Sequence, residues 1–473
     1  MKNYDLLPTY ENIKNTLLNN KLDRNKSLFK FISLLQNIDN ENISIAIDAQ
    51  WGAGKTFFVQ QAKLVLDAIN PYIQTDNISK EKQDDFNKIK KLPENYGINN
   101  TPQLCVYYNA WENDNHEDPI TSIIYSIAQD VSTDIKITQG KRDIGEIVKS
   151  IFGLIHVQFA TPVAGTGQSI IADIDGQRIT AIAEACKKKS DFGNIENESK
   201  LKSEINEFLN SLLTEKANRL VIFIDELDRC QPLFAVKLLE RIKHYFDNPN
   251  VTFVFSTNVK ELQNTIKKLY GEDFSASRYL DKFFDITIQL PPITIENYFE
   301  YLGFQNNSLI TRARIRIARN CNLGLREINR LLKATNIANA MIRKNNQCFF
   351  DDDKYYHLLL DYLTPLLIAL KMSNQKNYDD FIAGKRPDIF ISVFNDFEFA
   401  TAYLENWGMI NVMGSDSRLN EDKFKQIYEA FFIEAGKNHI SKLVGNIRIS
   451  EKCITDLLEI TSLLSEYSDF DEK

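Results

Sequence analysis

Ala49-Gln50-Trp51-Gly52-Ala53-Gly54-Lys55-Thr56 is the stretch on which the reading of the fold turns. It keeps the spacing of a phosphate-binding loop, G-x-x-x-x-G-K-[ST], with alanine at the first position. Gly52 and Gly54 let the backbone curl so that consecutive N–H groups point into one concavity, and a following helix presents its positive end to the same place. Lys55 then reaches the β- and γ-phosphates, and the Thr56 hydroxyl completes a magnesium shell. The expected nucleotide-holding set is Gly52, Ala53, Gly54, Lys55, Thr56 and Phe57, for ATP with Mg2+. The flanks agree with this. Ile43-Ser44-Ile45-Ala46-Ile47 reads as a buried strand, and Thr56 to Ile69 carries Phe57, Phe58, Ala62, Val65, Leu66 and Ile69 at helical spacing. Strand, glycine turn and helix together open a parallel α/β sheet.

Further apolar runs at Leu104 to Tyr108, Leu220 to Ile224, Val251 to Ser256 and Phe284 to Leu290 alternate with helical patterns such as Phe234 to Phe246. That rhythm predicts a mainly parallel, doubly wound sheet with helices on both faces. Ser79 to Lys91 reads as a charged, exposed helix. Ser132 to Ser199 reads as a long insertion between the second and third strands, with a Gly-rich middle (Gly165, Gly167, Gly176) and the basic cluster Lys187-Lys188-Lys189. Pro291-Pro292 ends the sheet, and helical periodicity follows over Ser308 to Arg319, Gly324 to Lys344 and Asp352 to Met372. The expected domains are a core over 1–300 carrying the insertion 132–199, a helical lid over 301–372, and a C-terminal helical accessory domain over 373–473.

The second half of the site is Leu220-Val221-Ile222-Phe223-Ile224-Asp225-Glu226. An apolar strand that ends in adjacent carboxylates brings Asp225 and Glu226 to the edge of the sheet where ligands bind in such folds. Asp225 is expected to hold the magnesium through water, and Glu226 to polarise the attacking water as general base. Asn258, at the tip of the neighbouring strand, either senses the γ-phosphate or caps the next helix. Arg278 is either a charge offered to a neighbouring subunit's nucleotide or a solvated surface arginine. Arg326, at the start of a helix beyond the sheet, is a candidate to be brought over the phosphates by a lid.

Bulk properties bound the class. At 473 residues, two or three domains are the default, and 43% hydrophobic with 25% charged residues is a globular composition. A net charge of −8 and a pI near 5.4 weigh against a nucleic-acid binder with a wholly basic surface, though not against a local basic groove. The six cysteines stand singly, without C-x-x-C or Cys/His spacing, and read as reduced thiols in a cytoplasmic protein. Met1 to Lys21 has no apolar core beside a cleavage site, so no secretory signal is expected. Ile151 to Ile174, the most membrane-like stretch, is interrupted by Gln158, Gly165, Thr166, Gly167, Gln168 and Asp173, so no spanning helix is expected.

These residues together resemble the KAP family of P-loop NTPases. The resemblance rests on Trp51 inside the loop, on Tyr108-Asn109-Ala110-Trp111, and on Ile224-Asp225-Glu226-Leu227-Asp228-Arg229-Cys230-Gln231-Pro232. Tyr279-Leu280-Asp281-Lys282-Phe283-Phe284, Leu290-Pro291-Pro292 and Leu325-Arg326-Glu327-Ile328-Asn329-Arg330 are similar to its later landmarks. It implies an additional-strand P-loop fold related to AAA+ and STAND ATPases, and an insertion that carries membrane helices in many members but is too polar to span here. It also implies ring or dimer assembly, and it links bacterial members to phage-exclusion and other defence roles. On the residues themselves, Trp111 with Glu112, Asp114, Glu117 and Asp118 either packs beside the nucleotide or covers the sheet edge, and the plainer reading of Trp111 is an aromatic wedge between strand and helix. Asp228 and Arg229 either form an ion pair that positions Glu226, or Arg229 faces a subunit boundary.

Three functions compete at this level. The first is a regulatory ATPase whose nucleotide state drives a conformational or assembly change, in antiphage defence, with a protein effector partner and homo-oligomerisation. The second is a nucleic-acid translocase or nuclease accessory, suggested by Arg312-Ala313-Arg314-Ile315-Arg316-Ile317-Ala318-Arg319 and the Lys187 cluster. The third is a scaffold that holds ATP structurally.

Overall fold

The computed structural model describes residues 7–73, 80–98, 101–116, 118–134, 144–159, 194–213, 217–344, 358–394, 421–432, 442–444, 447–449 and 451–466. The Gly-rich middle of the insertion, the Lys187-Lys188-Lys189 cluster and Glu117 lie outside them. The chain divides into two compact units, one of Pro8–Asn20 with Arg24–Pro292, the other of Ile293–Lys473 with Met1–Leu7 and Lys21–Asp23.

The first unit is built on five strands, β1 (Ile43–Asp48), β2 (Gln103–Asn109), β3 (Arg219–Asp225), β4 (Val251–Thr257) and β5 (Ile286–Gln289). Their order is β2-β3-β4-β1-β5 and every pairing is parallel. The expected strands are all present, each within about two residues of the sequence bounds. β4 stands between β1, which leads into the phosphate loop, and β3, which ends in the carboxylates. β3 and β4 are buried along their whole length, as strands covered on both faces must be.

Alternation along these strands feeds two separate cores. Leu104, Val106 and Tyr108 of β2, Leu220, Ile222 and Ile224 of β3, and Phe253 and Phe255 of β4 pack on one face. They meet α5 (Pro119–Asp134), α6 (Ile144–Phe159), α7 (Asn194–Leu213), α8 (Pro232–Tyr245) and α9 (Val259–Tyr270). Ile45, Ile47, Cys105, Val221, Phe223 and Val254 point the other way, toward α1 (Tyr10–Leu18), α2 (Asn25–Asn37) and α3 (Lys55–Ile69), with Ile89 of α4 (Lys80–Lys91). The flanks of the expected insertion are therefore core. Ile147, Ile151 and Ile155 of α6 and Leu201, Ile205 and Phe208 of α7 are buried with β2 and β3. Their apolar residues recur at helical spacing, a pattern that the polar middle of the segment masks when it is read as one block.

In the second unit, α11 (Ile295–Tyr301), α12 (Leu309–Asn320), α13 (Leu325–Lys344), α14 (Thr364–Ser373), α15 (Gln375–Ile382), α16 (Pro387–Phe394), α17 (Glu421–Phe432) and α18 (Glu451–Glu466) share one apolar core. Helices from both sides of residue 373 contribute to it. A π turn over Leu359–Leu363 precedes Pro365, and the Thr364 hydroxyl donates to the Leu359 carbonyl at 2.8 Å. A proline that cannot donate is met here by a widened turn and a side-chain hydroxyl. The C-terminal region is not wholly helical as expected, because β6 (Lys442–Val444) and β7 (Ile447–Ile449) pair antiparallel. Three residues per strand are too few for alternation to register in a sequence reading. No described helix is long and apolar enough to cross a membrane.

Candidate nucleotide site

The loop after β1 is shaped by two glycines in the left-handed region, Gly52 at φ 77° and Gly54 at φ 84°, where a side chain would be strained. Gly54 caps α3, and its carbonyl accepts from the Phe58 N–H at 3.1 Å. The N–H groups of the first turn, Lys55 to Phe57, have no acceptor within their own helix and sit at its positive end. The Lys55 ammonium donates to the carbonyls of Ala49 at 2.6 Å and Gln50 at 3.2 Å. Burial lowers its pKa, while Asp228, Asp225 and Asp48 oppose that shift.

A residue that sequence reasoning missed supports the loop from below. Arg24, 5% exposed and directly before α2, donates from Nη1 to the Ala53 carbonyl at 2.9 Å and from Nη2 to the Pro291 carbonyl. One planar fork thus joins the phosphate loop to the segment that leaves the sheet.

The carboxylate half forms at the end of β3. Asp225 and Ile47 both register against Ser256 of β4, so the β1 and β3 backbones stand about 10 Å apart at that level, two strand spacings. A lysine side chain and a hydrated metal can bridge such a gap. Asp225 is almost fully buried. Its Oδ1 accepts from the Glu226 N–H at 3.0 Å and its Oδ2 from the Tyr107 hydroxyl at 2.9 Å. Burial, then the Asp225 charge, pushes the Tyr107 pKa far up, so the phenol keeps its proton and remains a donor.

Glu226 has φ 59°, an uncommon conformation for a residue with a side chain. The short helical turn Leu227–Arg229 follows it. Of the two sequence expectations for this turn, the Asp228–Arg229 ion pair is not formed among the described residues. Arg229 bonds Glu226 at 3.0 Å and lies over the Trp111 ring, 5.5 Å from its centroid. Asp228 instead accepts from the Trp51 indole N–H through Oδ2 and from the Thr257 hydroxyl at 3.3 Å through Oδ1. The Arg229 N–H also donates to the Glu226 carbonyl at 3.1 Å, which brings residue 229 back to residue 226 and leaves residue 228 for the loop. Trp111 is half exposed beside the carboxylate turn, and Asn109 binds the Trp111 N–H at 3.1 Å and the Glu112 side chain at 2.9 Å.

At the tip of β4, the Asn258 Oδ1 accepts from the Glu261 N–H at 3.4 Å and caps α9. Asp48 binds the Val259 N–H at 2.9 Å and the Gln289 amide at 2.8 Å, joining the ends of β1 and β5 to the start of α9. Lys55, Thr56, Asp225, Glu226 and Asn258 therefore share one edge of the sheet. Arg278 is exposed on α10 (Ala276–Leu280), where it forms no ion pair among the described residues. Arg326 lies in the first turn of α13, in the second unit.

These residues fit a nucleotide with its metal. Asp225 uses one acceptor position on each oxygen, and each oxygen has a second. Thr56, half-buried, follows Lys55 in the first turn of α3. The charges of Asp228, Asp225 and Asp48 all act on the buried Lys55 ammonium, with that of Arg229 opposing them, and carboxylates are the ligands that suit magnesium. A comparison with curated proteins finds no significant relative. The family model described as the KAP family P-loop domain matches residues 24–341 of the 473, and the chain therefore belongs to the KAP family of P-loop NTPase domains.

Proposed function

We propose that this chain is a magnesium-dependent ATPase whose nucleotide state drives a conformational or assembly change. The observation that carries the reading is the shared edge, with Lys55 in a loop of left-handed glycines facing the charges of Asp225 and Asp228. The amides of residues 52–57 and the Lys55 ammonium bind and orient the phosphates. Thr56 and Asp225 would hold Mg2+, which supplies charge neutralisation between the β- and γ-oxygens. Glu226 accepts a proton from the attacking water, and Asn258 at the adjacent tip is within the same row of groups.

The partner roles extend this proposal. Arg278 is free to meet a neighbouring subunit's nucleotide, and assembly into homo-oligomers with a protein effector, in antiphage defence, rests on the family resemblance alone. The nucleic-acid reading loses support from α12. Arg312, Arg314 and Arg316 are half-buried there, Arg316 donates to the Val393 carbonyl at 3.2 Å, Arg314 lies over Phe304, and Arg319 is paired with Glu296.

Calorimetric binding and phosphate-release assays on three proteins test the proposal. Wild type binds and hydrolyses ATP, Lys55→Ala loses binding, and Glu226→Gln binds with hydrolysis reduced at least about a hundredfold. Wild-type protein that binds ATP without turnover, with candidate partners supplied, would refute the switch reading in favour of a scaffold.

A further inference from the structure

β2 presents adjacent tyrosines to opposite faces of the sheet. Tyr108 enters the core shared with α5 to α9 and pairs with the Ser122 hydroxyl at 2.7 Å. Tyr107 packs on the α3 side, where its phenol donates to Asp225 Oδ2 at 2.9 Å. With the Glu226 N–H on Oδ1, the Asp225 carboxylate is held at both oxygens and cannot rotate without losing a bond.

The Gln60 side chain, on α3, lies close enough to the same phenol to bear on its ionisation. Gln60 follows Thr56 by four residues on α3, so the two share one helix face. Tyr107, packed on the side of the helix that carries Thr56 and bonded to Asp225, thus stands between the two. Thr56 lies on the helix that follows β1 and Asp225 at the end of β3, with β4 between those strands, and no direct bond joins them among the described contacts. A neutral donor suits this place, because it orients the carboxylate while leaving its full charge for a cation, as an arginine or lysine would not.

We propose that Tyr107 is a positioning residue that sets the orientation of Asp225 and its spacing from Thr56, and so couples magnesium to nucleotide binding. The proposal rests on the reading of the site as one for ATP with magnesium. The test measures ATP affinity of the full chain by calorimetry, once with Mg2+ and once with EDTA, and takes the ratio as the metal's contribution. In Tyr107→Phe the ratio falls about tenfold, the low end for loss of a partner to a metal ligand, while affinity in EDTA stays within about twofold. Tyr108→Phe removes a phenol hydroxyl from the opposite face and leaves both values unchanged. Gln60→Leu lowers the ratio in the same direction by a smaller factor, and serves if Tyr107→Phe fails to fold. An unchanged ratio in a folded Tyr107→Phe overturns the proposal. So does an equal loss with and without metal, the mark of a merely structural tyrosine. Wild-type protein with no magnesium-dependent gain in ATP affinity refutes the underlying nucleotide reading, and is told apart by needing no variant at all.

Discussion

Replacing Arg24 with alanine removes a side chain that braces the phosphate loop from the start of α2. Its guanidinium is buried, and burial pushes its pKa down to about 10, still high enough to stay charged at neutral pH. The bond from Nη1 to Ala53 is 2.9 Å long, and a hydrogen bond from a charged donor contributes about 1.5–3 kcal/mol. The lower figure applies here, because the variant also relieves a buried Nε that has no hydrogen-bond partner. About 1.5 kcal/mol of loop ordering must then come from the ligand, which weakens ATP binding about tenfold. Arg24→Lys keeps a charge but offers a point donor to two divergent carbonyls, so it recovers only part of the loss. Calorimetric titration of ATP into wild type and both variants, each checked for folding by circular dichroism, gives the comparison. A folded Arg24→Ala with ATP affinity within about twofold of wild type would show that the loop holds its shape without the brace, and the reasoning would fail.

Two further outcomes follow from the same geometry. The Arg229 bond to Glu226 is partly exposed, and such pairs contribute no more than about 1 kcal/mol. While it lasts, one acceptor position of the proposed general base is taken, so Arg229→Ala raises basal turnover by up to about fivefold with unchanged ATP affinity; slower turnover would instead make the arginine a supporting group. Burial lowers the Lys55 pKa, and phosphates bind its charged form, so the lysine's contribution is complete below the free-protein pKa and fades as pH rises through it. ATP affinity measured from about pH 7 to about pH 10 therefore declines earlier than an exposed lysine would allow, and Lys55→Arg flattens the profile; a level wild-type curve would contradict this.

The parts of the fold that were legible in the sequence are those whose chemistry is local. Gly52 and Gly54 announce a loop because only a residue without Cβ takes their φ cheaply. The five strands stand out because β1, β3 and β4, covered on both faces, must be continuous apolar runs. Asp225 and Glu226 follow at once from where such a run stops. The flanks of residues 132–199 were harder, since α6 and α7 join the core by packing on each other and on α5, α8 and β3, and nothing in either segment alone says that it has a partner.

The features that escaped are fixed by register and by distance along the chain. Arg24 finds its acceptors at Ala53 and Pro291, 29 and 267 residues away, so no window of sequence contains the interaction. Tyr107 and Tyr108 are equivalent as letters, and only the pleat of β2 decides which one reaches Asp225. A shift of that strand by one residue would exchange them. In principle the parity was available, because Cys105 lies two positions before Tyr107 and faces the same core as Val221 and Phe223, but assigning that face requires knowing that β2 pairs with β3 at Cys105↔Val221. The exchange of partners at Asp228 and Arg229 has the same origin. Adjacent opposite charges look like a pair in one dimension, yet a tight turn points neighbours apart and delivers Asp228 to an indole 177 residues earlier in the chain. The candidate site groups were therefore readable from residue type, and the groups that orient them were not, since orientation depends on which elements the finished sheet places side by side.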